Sequence, residues 1–192
     1  MKTFVAVIDG TAALLMHRFA EEAEASTRKA TRRNATAAAV DPREEAEKCA
    51  YRHKDGTLYI PGAAFSRLLR EAAGGHKARG SRKSMKYVLP TAVRVTDEIV
   101  ALFEDGEPAD DFEVDARPVV IPSTRGRVMR FRPRLEKWQA RVAVSVDEDL
   151  VDAKFVHQLL EEGGKQIGVG DFRPERGGPF GTFRVISWKE LK

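Results

Sequence analysis

The run Glu161–Phe183 reads EEGGKQIGVGDFRPERGGPFGTF, and its seven glycines limit what the chain can fold into more than any other segment does. Gly163, Gly164, Gly168, Gly170, Gly177, Gly178 and Gly181 leave a backbone free to take positive φ and to let another molecule come close. Lys165, Arg173 and Arg176 lie among them, so the partner they suit is an anion. The flanks distinguish a structured loop from a tail. Phe155, Val156, Leu159 and Leu160 form an apolar helical pattern before the run, and Phe180–Trp188 is strand-like after it. The glycines therefore predict a helix-to-strand connection inside a domain.

That order of elements excludes the common nucleotide-binding loops. A P-loop needs its second glycine followed by Lys and Ser or Thr, between a strand and a helix. Here Gly168 is followed by Val169, and the loop comes after a helix. The dinucleotide fingerprint fails on the same ground, and no cofactor is expected. His17, His53, His76 and His157 lie far apart without metal-ligand spacing, and Cys49 is the single cysteine, so neither a metal site nor an internal disulfide is expected. His17, beside Arg18, and His76 are the histidines placed to touch a nucleic acid, and Asp9 and Asp171 sit at strand and loop ends where a catalytic carboxylate is found, although a helix cap or turn bond explains each as well.

With 192 residues, 42% of them hydrophobic, the chain is long enough for one domain with a core of its own. No apolar stretch approaches the ~20 residues of a membrane span, and the opening MKTFVAVIDG is too short for a signal peptide, so a cytoplasmic protein is expected. Thr3–Asp9 predicts an opening strand closed by the turn Asp9-Gly10. Glu21–Ala39 reads as a helix or a mobile arm, and Asp41-Pro42-Arg43-Glu44 as a capped helix start running to about Arg52. Thr57–Ile60, Tyr87–Val95, Ile99–Phe103 and Phe112–Ile121 read as strands, with helix Ala63–Ala73 after the first of them. Val128–Leu135 and Trp138–Val146 read as a strand pair, Asp149–Glu162 as a helix, and Phe180–Trp188 as the final strand. This order fits an α+β fold: a ferredoxin-like or RRM-like antiparallel sheet with two core helices in a single domain over residues 1–192. A helical or mobile insertion is expected at about 11–56 and a β-rich one at about 97–147.

The net charge of +4 is mild, so local clustering has to identify any polyanion site. Arg125, Arg127, Arg130, Arg132 and Arg134 make half of the run Arg125–Arg134, and no acid occurs from Arg117 to Arg134. Strand alternation puts Arg130, Arg132 and Arg134 on one face, with Met129, Phe131 and Leu135 on the other, a row whose repulsion a bound polyanion would relieve. The linker Gly74–Lys86 adds Lys77, Arg79, Arg82, Lys83 and Lys86, again without an acid. Phe131, Tyr87, Phe172 and Phe180 stand near these basic elements and could stack on bases. The three basic elements are expected to share one face.

Gly163-x4-Gly168-x-Gly170 after a helix resembles the glycine-rich loop of the RAMP superfamily of CRISPR-associated RNA-binding proteins, and Tyr59–Arg70 (YIPGAAFSRLLR) resembles the segment that opens the first core helix there. The resemblance implies a ferredoxin-like core and a backbone-type subunit that assembles along single-stranded RNA, with Arg67, Arg70, Lys165, Gly168, Gly170 and Arg173 in the binding set. Together these readings predict a non-enzymatic, sequence-tolerant single-stranded nucleic-acid-binding subunit. RNA is favoured over DNA as ligand, and a homo-oligomer, a filament or other effector subunits are the expected protein partners, with no membrane. The alternatives are a metal-independent endoribonuclease using His17 or His76, and an assembly protein of a phage or mobile element.

Overall fold

The structure, a computed structural model, describes residues 1–18, 41–78, 80–120 and 126–191. The expectation for Glu21–Ala39, and Arg79 and Arg125 of the candidate set, lie outside these residues.

β1 (Lys2–Gly10) runs through the larger sheet, antiparallel to β10 (Phe183–Glu190) on one side and to β9 (Gln139–Val146) on the other. The far edge of β9 is shared by β4 (Val93–Val95) and β5 (Ile99–Glu104), and β5 also pairs with β3 (Tyr59–Pro61) and β6 (Glu107–Pro108). A second, three-stranded sheet holds β8 (Arg127–Leu135) between β7 (Glu113–Val120) and the short β2 (Leu14–Leu15). The helices in chain order are α1 (Pro42–Lys48), α2 (Gly62–Ala72), α3 (Leu89–Ala92) and α4 (Ala153–Gln166). In the larger sheet the main strands lie in the order β10-β1-β9-β5, with α2 between the first two in sequence and α4 between the last two. This is the ferredoxin-like α+β arrangement that the order of elements predicts.

Strand alternation makes the core. Phe4, Ala6 and Ile8 of β1 and Ala140, Val142, Val144 and Val146 of β9 point to one face, and Phe65, Leu68 and Leu69 of α2 and Val156, Leu159 and Leu160 of α4 cover it. Asp152 caps α4 by accepting from the Lys154 amide at 2.8 Å, and Asp41 caps α1 by accepting from Arg43 at 2.8 Å. α1 stops at Lys48, one turn before the predicted end.

Four expectations are corrected. Gly163 and Gly164 are in the last turn of α4 rather than loop. A Cβ on Gly164 would meet the Phe183 carbonyl oxygen at 2.6 Å, and one on Gly163 would collide with Leu68, so these glycines let α4 approach α2 and β10 closely. Tyr87–Val95 is mostly turn and helix, because Pro90 sits in the first turn of α3, where its missing N–H costs nothing, and only Val93–Val95 is strand. β8 and β9 follow each other closely but belong to different sheets. Between them Trp138 is buried and donates its Nε1–H to the Ala12 carbonyl at 2.9 Å, while its own carbonyl accepts from the Gly10 amide at 2.8 Å, which steers the chain from one sheet into the other. Finally, β5 and β9, assigned from sequence to the β-rich insertion, are strands of the central sheet.

Gly164→Ala is expected to destabilise the protein by about 1–3 kcal/mol through overpacking. Gly74→Ala, with nothing within 4 Å of the added methyl, should stay within about 0.5 kcal/mol of the parent in urea denaturation.

Candidate nucleic-acid interface

The glycine-rich loop is fastened along one edge of a strap formed by residues 13–16. The Asp171 amide donates to the Leu15 carbonyl at 2.8 Å and the Gly181 amide to the Ala13 carbonyl at 2.8 Å. Gly170 and Gly181 have φ of +78° and +71°, and a side chain on either would overlap backbone oxygen, of Leu15 and of Val169 respectively. The strap's other edge carries β8, through the pairs Leu14–Leu135 and Leu15–Arg134 and a 3.0 Å bond from the Met16 amide to the Pro133 carbonyl. One short strand thus holds the loop and the arginine-rich hairpin β7–β8 side by side.

A buried cation reinforces that junction. Arg132 is 7% exposed and sits between Asp171 of the loop, at 2.7 Å, and Asp115 of β7, at 3.4 Å and 5% exposed. Burial tends to raise the Asp171 carboxyl, but the Arg132 guanidinium and the Phe172 amide hold it below the ordinary carboxylate value. Arg132 therefore makes structural ion pairs and is not part of an exposed cationic row. The acids that pair with it are distant in sequence, one across the hairpin and one in the glycine loop.

The hairpin register divides its charges in two. Glu113 lies opposite Arg134 and Asp115 opposite Arg132, so the half next to the core is compensated, and Arg134 also pairs with Glu136. One step further out, Arg117 lies directly opposite Arg130, and beyond it comes Arg127. Like charges in that position repel. Arg117 is partly relieved by Asp115 at 2.7 Å and by the Phe180 ring, 4.6 Å beneath its guanidinium. Arg127 and Arg130 have no acidic partner among the described residues.

Arg117 and Arg132, with Arg67 of α2 and Arg173 and Arg176 of the loop, line a cavity of about 600 Å³. Glu175 ties two of these together, accepting from Arg67 at 2.8 Å and from Arg173 at 2.6 Å. Burial acts to raise the Glu175 carboxyl, and the two guanidinium groups hold it below its ordinary value. Five arginines against Asp115, Asp171 and Glu175 leave a net excess of positive charge, with exposed Arg176 free of any acid among the described residues. Phe172 stands at this cavity with φ of +47°, a conformation disfavoured for an aromatic residue, and the residue is 36% exposed.

Arg67 also lines two neighbouring hollows. One, of about 370 Å³, includes Arg70, which pairs with Glu71. The other, of about 390 Å³, holds Gly168, Gly170, Tyr51 and His17. Burial pushes the His17 imidazole below its ordinary value, Asp171 works against this, and Arg130 and Arg132 push the same way as burial. Its Nδ1 is buried without a hydrogen-bond partner.

The basic linker is not brought to these hollows. It leaves the C-terminal end of α2, where His76 pairs with Glu162 at 2.9 Å and packs edge-on against Phe155, and Lys86 pairs with Glu71 at 2.6 Å. The glycine loop meets the same helix at Ala64 and Arg67, so Lys77, Arg82 and Lys83, all exposed, lie at the opposite end of the α2–α4 pair. The expectation of one shared face fails for the linker. Lys165 is exposed in the last turn of α4 and lines none of the three hollows. Of the candidate stacking residues Phe172 alone lines the arginine cavity; Phe180 is buried, Phe131 packs on the core, and Tyr87 is 76% exposed beside the linker. Asp9 is bound by Gln139 and Arg184. Arg117 gained its place from the fold, although acid–Arg alternation along Glu113–Arg117 is a visible hint of a paired hairpin. Among the described residues no cluster could hold a metal ion, and no helix is long and apolar enough to cross a membrane.

The site is thus an arginine-lined cavity on a ferredoxin-like frame, and a solved structure of similar fold exists. A chain in the cryo-EM structure of the Type III-B Cmr-beta bound to cognate target RNA is similar over 100% of this chain, with a TM-score of 0.59 and 11% identity. The present chain spans 61% of that chain's length. Cmr6 from Pyrococcus furiosus matches with a TM-score of 0.46 and 11% identity, over 95% of this chain and 97% of its own. No protein-family model and no curated protein matches the sequence.

Arg132→Met should destabilise by about 3 kcal/mol, the low end for breaking a buried pair, because Asp171 loses its guanidinium partner while buried Asp115 keeps only Arg117. The pH dependence has a definite sign. His17 is depressed in the folded state, so its contribution is complete above the ordinary imidazole value of 6.5 and is lost as pH falls towards its folded value. Thermal melts from pH 7.5 to 5 should therefore show a falling midpoint that His17→Gln flattens.

Proposed function

We propose that this protein is a non-enzymatic binding subunit for single-stranded nucleic acid, RNA in preference to DNA, whose phosphates occupy the arginine cavity between α2, the β7–β8 hairpin and the glycine loop. The observation that carries this is the cluster of Arg67, Arg117, Arg173 and Arg176 around one hollow, with Arg130 directly across the hairpin from Arg117. Such a cluster is self-repelling when empty and gains from any ligand that brings negative charge. Arginine's planar fork suits phosphate oxygens, and the exposed Phe172 ring offers a stacking surface that does not discriminate among bases. The similarity of fold to a chain of a complex bound to target RNA supports RNA as the polymer and effector subunits or further copies of this chain as neighbours along it. Lys165, Arg70 and the linker cations Lys77, Arg82 and Lys83 would then meet the strand only outside the cavity.

Arg176→Ala tests the assignment without disturbing an ion pair. Affinity for a fluorescent oligouridylate near 100 mM salt is expected to fall, and the log–log salt slope to decrease by about 0.7, one phosphate contact to a single strand. A parent protein that does not bind under those conditions, or whose slope is near zero, would contradict the proposal.

A further inference from the structure

The charge balance of the arginine cavity narrows the kind of phosphate it suits. Arg117 and Arg132 are matched by Asp115 and Asp171, whereas Arg67, Arg173 and Arg176 share Glu175 alone. Five guanidinium groups against three carboxylates leave an excess of two positive charges. The donors are unevenly spent as well. Arg132 is held between its two acids, and Arg173 gives Nε and Nη2 to Glu175 and Nη1 to the Gly170 carbonyl at 2.8 Å. Among the described residues Arg67 uses only Nη2, on Glu175, Arg117 uses only Nε, on Asp115, and the Arg176 side chain bonds to nothing. Arg67, Arg117 and Arg176 therefore keep most of their N–H donors for a ligand.

A phosphodiester inside a strand brings one negative charge and two free oxygens. A phosphomonoester at a strand end carries nearly two charges at neutral pH and three acceptor oxygens, which matches both the excess charge and the three open guanidinium groups. At about 600 Å³ the cavity has the size of a small-molecule pocket, ~300–1,000 Å³, and Phe172 adds a ring for one base. We infer that the cavity takes a strand by its end, with a terminal phosphomonoester among Arg67, Arg117 and Arg176 and the end nucleotide against Phe172. Arg127 and Arg130, further along the hairpin, are left for internal phosphates. The inference rests on the single-strand function proposed above and names the part of the strand that this cavity recognises.

Oligouridylates of one length test this by fluorescence anisotropy in about 100 mM salt, each ending in a hydroxyl, a phosphate or a methyl phosphate. The varied group is placed at the 5′ end or at the 3′ end, with the fluorophore at the other. At one of the two ends the phosphate should tighten binding by about tenfold over the hydroxyl, as one added charge-assisted contact does, and the singly charged methyl phosphate should gain clearly less. The end that shows the gain gives the polarity of the bound strand. Arg176→Ala, which breaks no ion pair among the described residues, should remove most of the gain. A methyl phosphate as good as the phosphate, an equal gain at both ends, no gain at either, or a gain unchanged in Arg176→Ala would overturn the assignment. The hydroxyl-ended strand reads the proposed function separately. If it binds with the expected salt slope while a terminal phosphate adds nothing, this inference fails and the single-strand reading stands.

Discussion

The buried Arg132 guanidinium, held between Asp115 and Asp171, is the contact on which the arrangement of this surface depends. It joins the β7–β8 hairpin to the glycine loop, which also meet where the Arg117 guanidinium lies over the Phe180 ring and through the strap at Leu14–Leu15. Desolvating three charged groups is costly, and a packed apolar trio could be as stable. What the ion pairs add is register. They align Asp115 with Arg132, which leaves Arg117 facing Arg130 one step further out and sets Asp171 where Phe172 and Arg173 follow it into the cavity. The strained backbone of Phe172 and the positive φ of Gly170 and Gly181 are sustained by the same junction.

Compensated and uncompensated charge are therefore separated in space. Near the core, acids and arginines pair across the hairpin and hold it together. Towards its far end, and around the hollow under Arg67, positive charge exceeds negative, and Glu175 holds Arg67 and Arg173 in position without neutralising both. Cations fixed in this way lose little freedom when a phosphate arrives, which favours binding. The hollow next door is largely apolar, with Asp171 and Glu175 balancing Arg67 and Arg173, and the two share the wall formed by Arg67, Asp171 and Arg173.

Much of this frame was legible in the sequence because it depends on periodicity and capping. β1, α2, α4 and β10 follow from their apolar patterns, and Asp41-Pro42 marked the start of α1. What was not legible depends on contacts between distant segments. Nothing local says that Arg132 is buried, since its acids come from a strand 17 residues earlier and a loop 39 residues later. Gly163 and Gly164 read as loop because glycine is a poor helix former, and only the closeness of Leu68 and Phe183 explains them within α4. The linker's cations looked equivalent to the loop's until the antiparallel packing of α2 and α4 placed them at the other end of the pair.

The measurement that bears most directly on this account is photocrosslinking of the intact protein to a single-stranded oligonucleotide carrying 4-thiouridine, with the attached residues located by mass spectrometry. The account predicts crosslinks on the glycine loop around Phe172–Arg176, on the hairpin near Arg117 and Arg130, and on α2 near Arg67. Crosslinks confined to the Gly74–Lys86 linker, or to the open face of the large sheet, would contradict it.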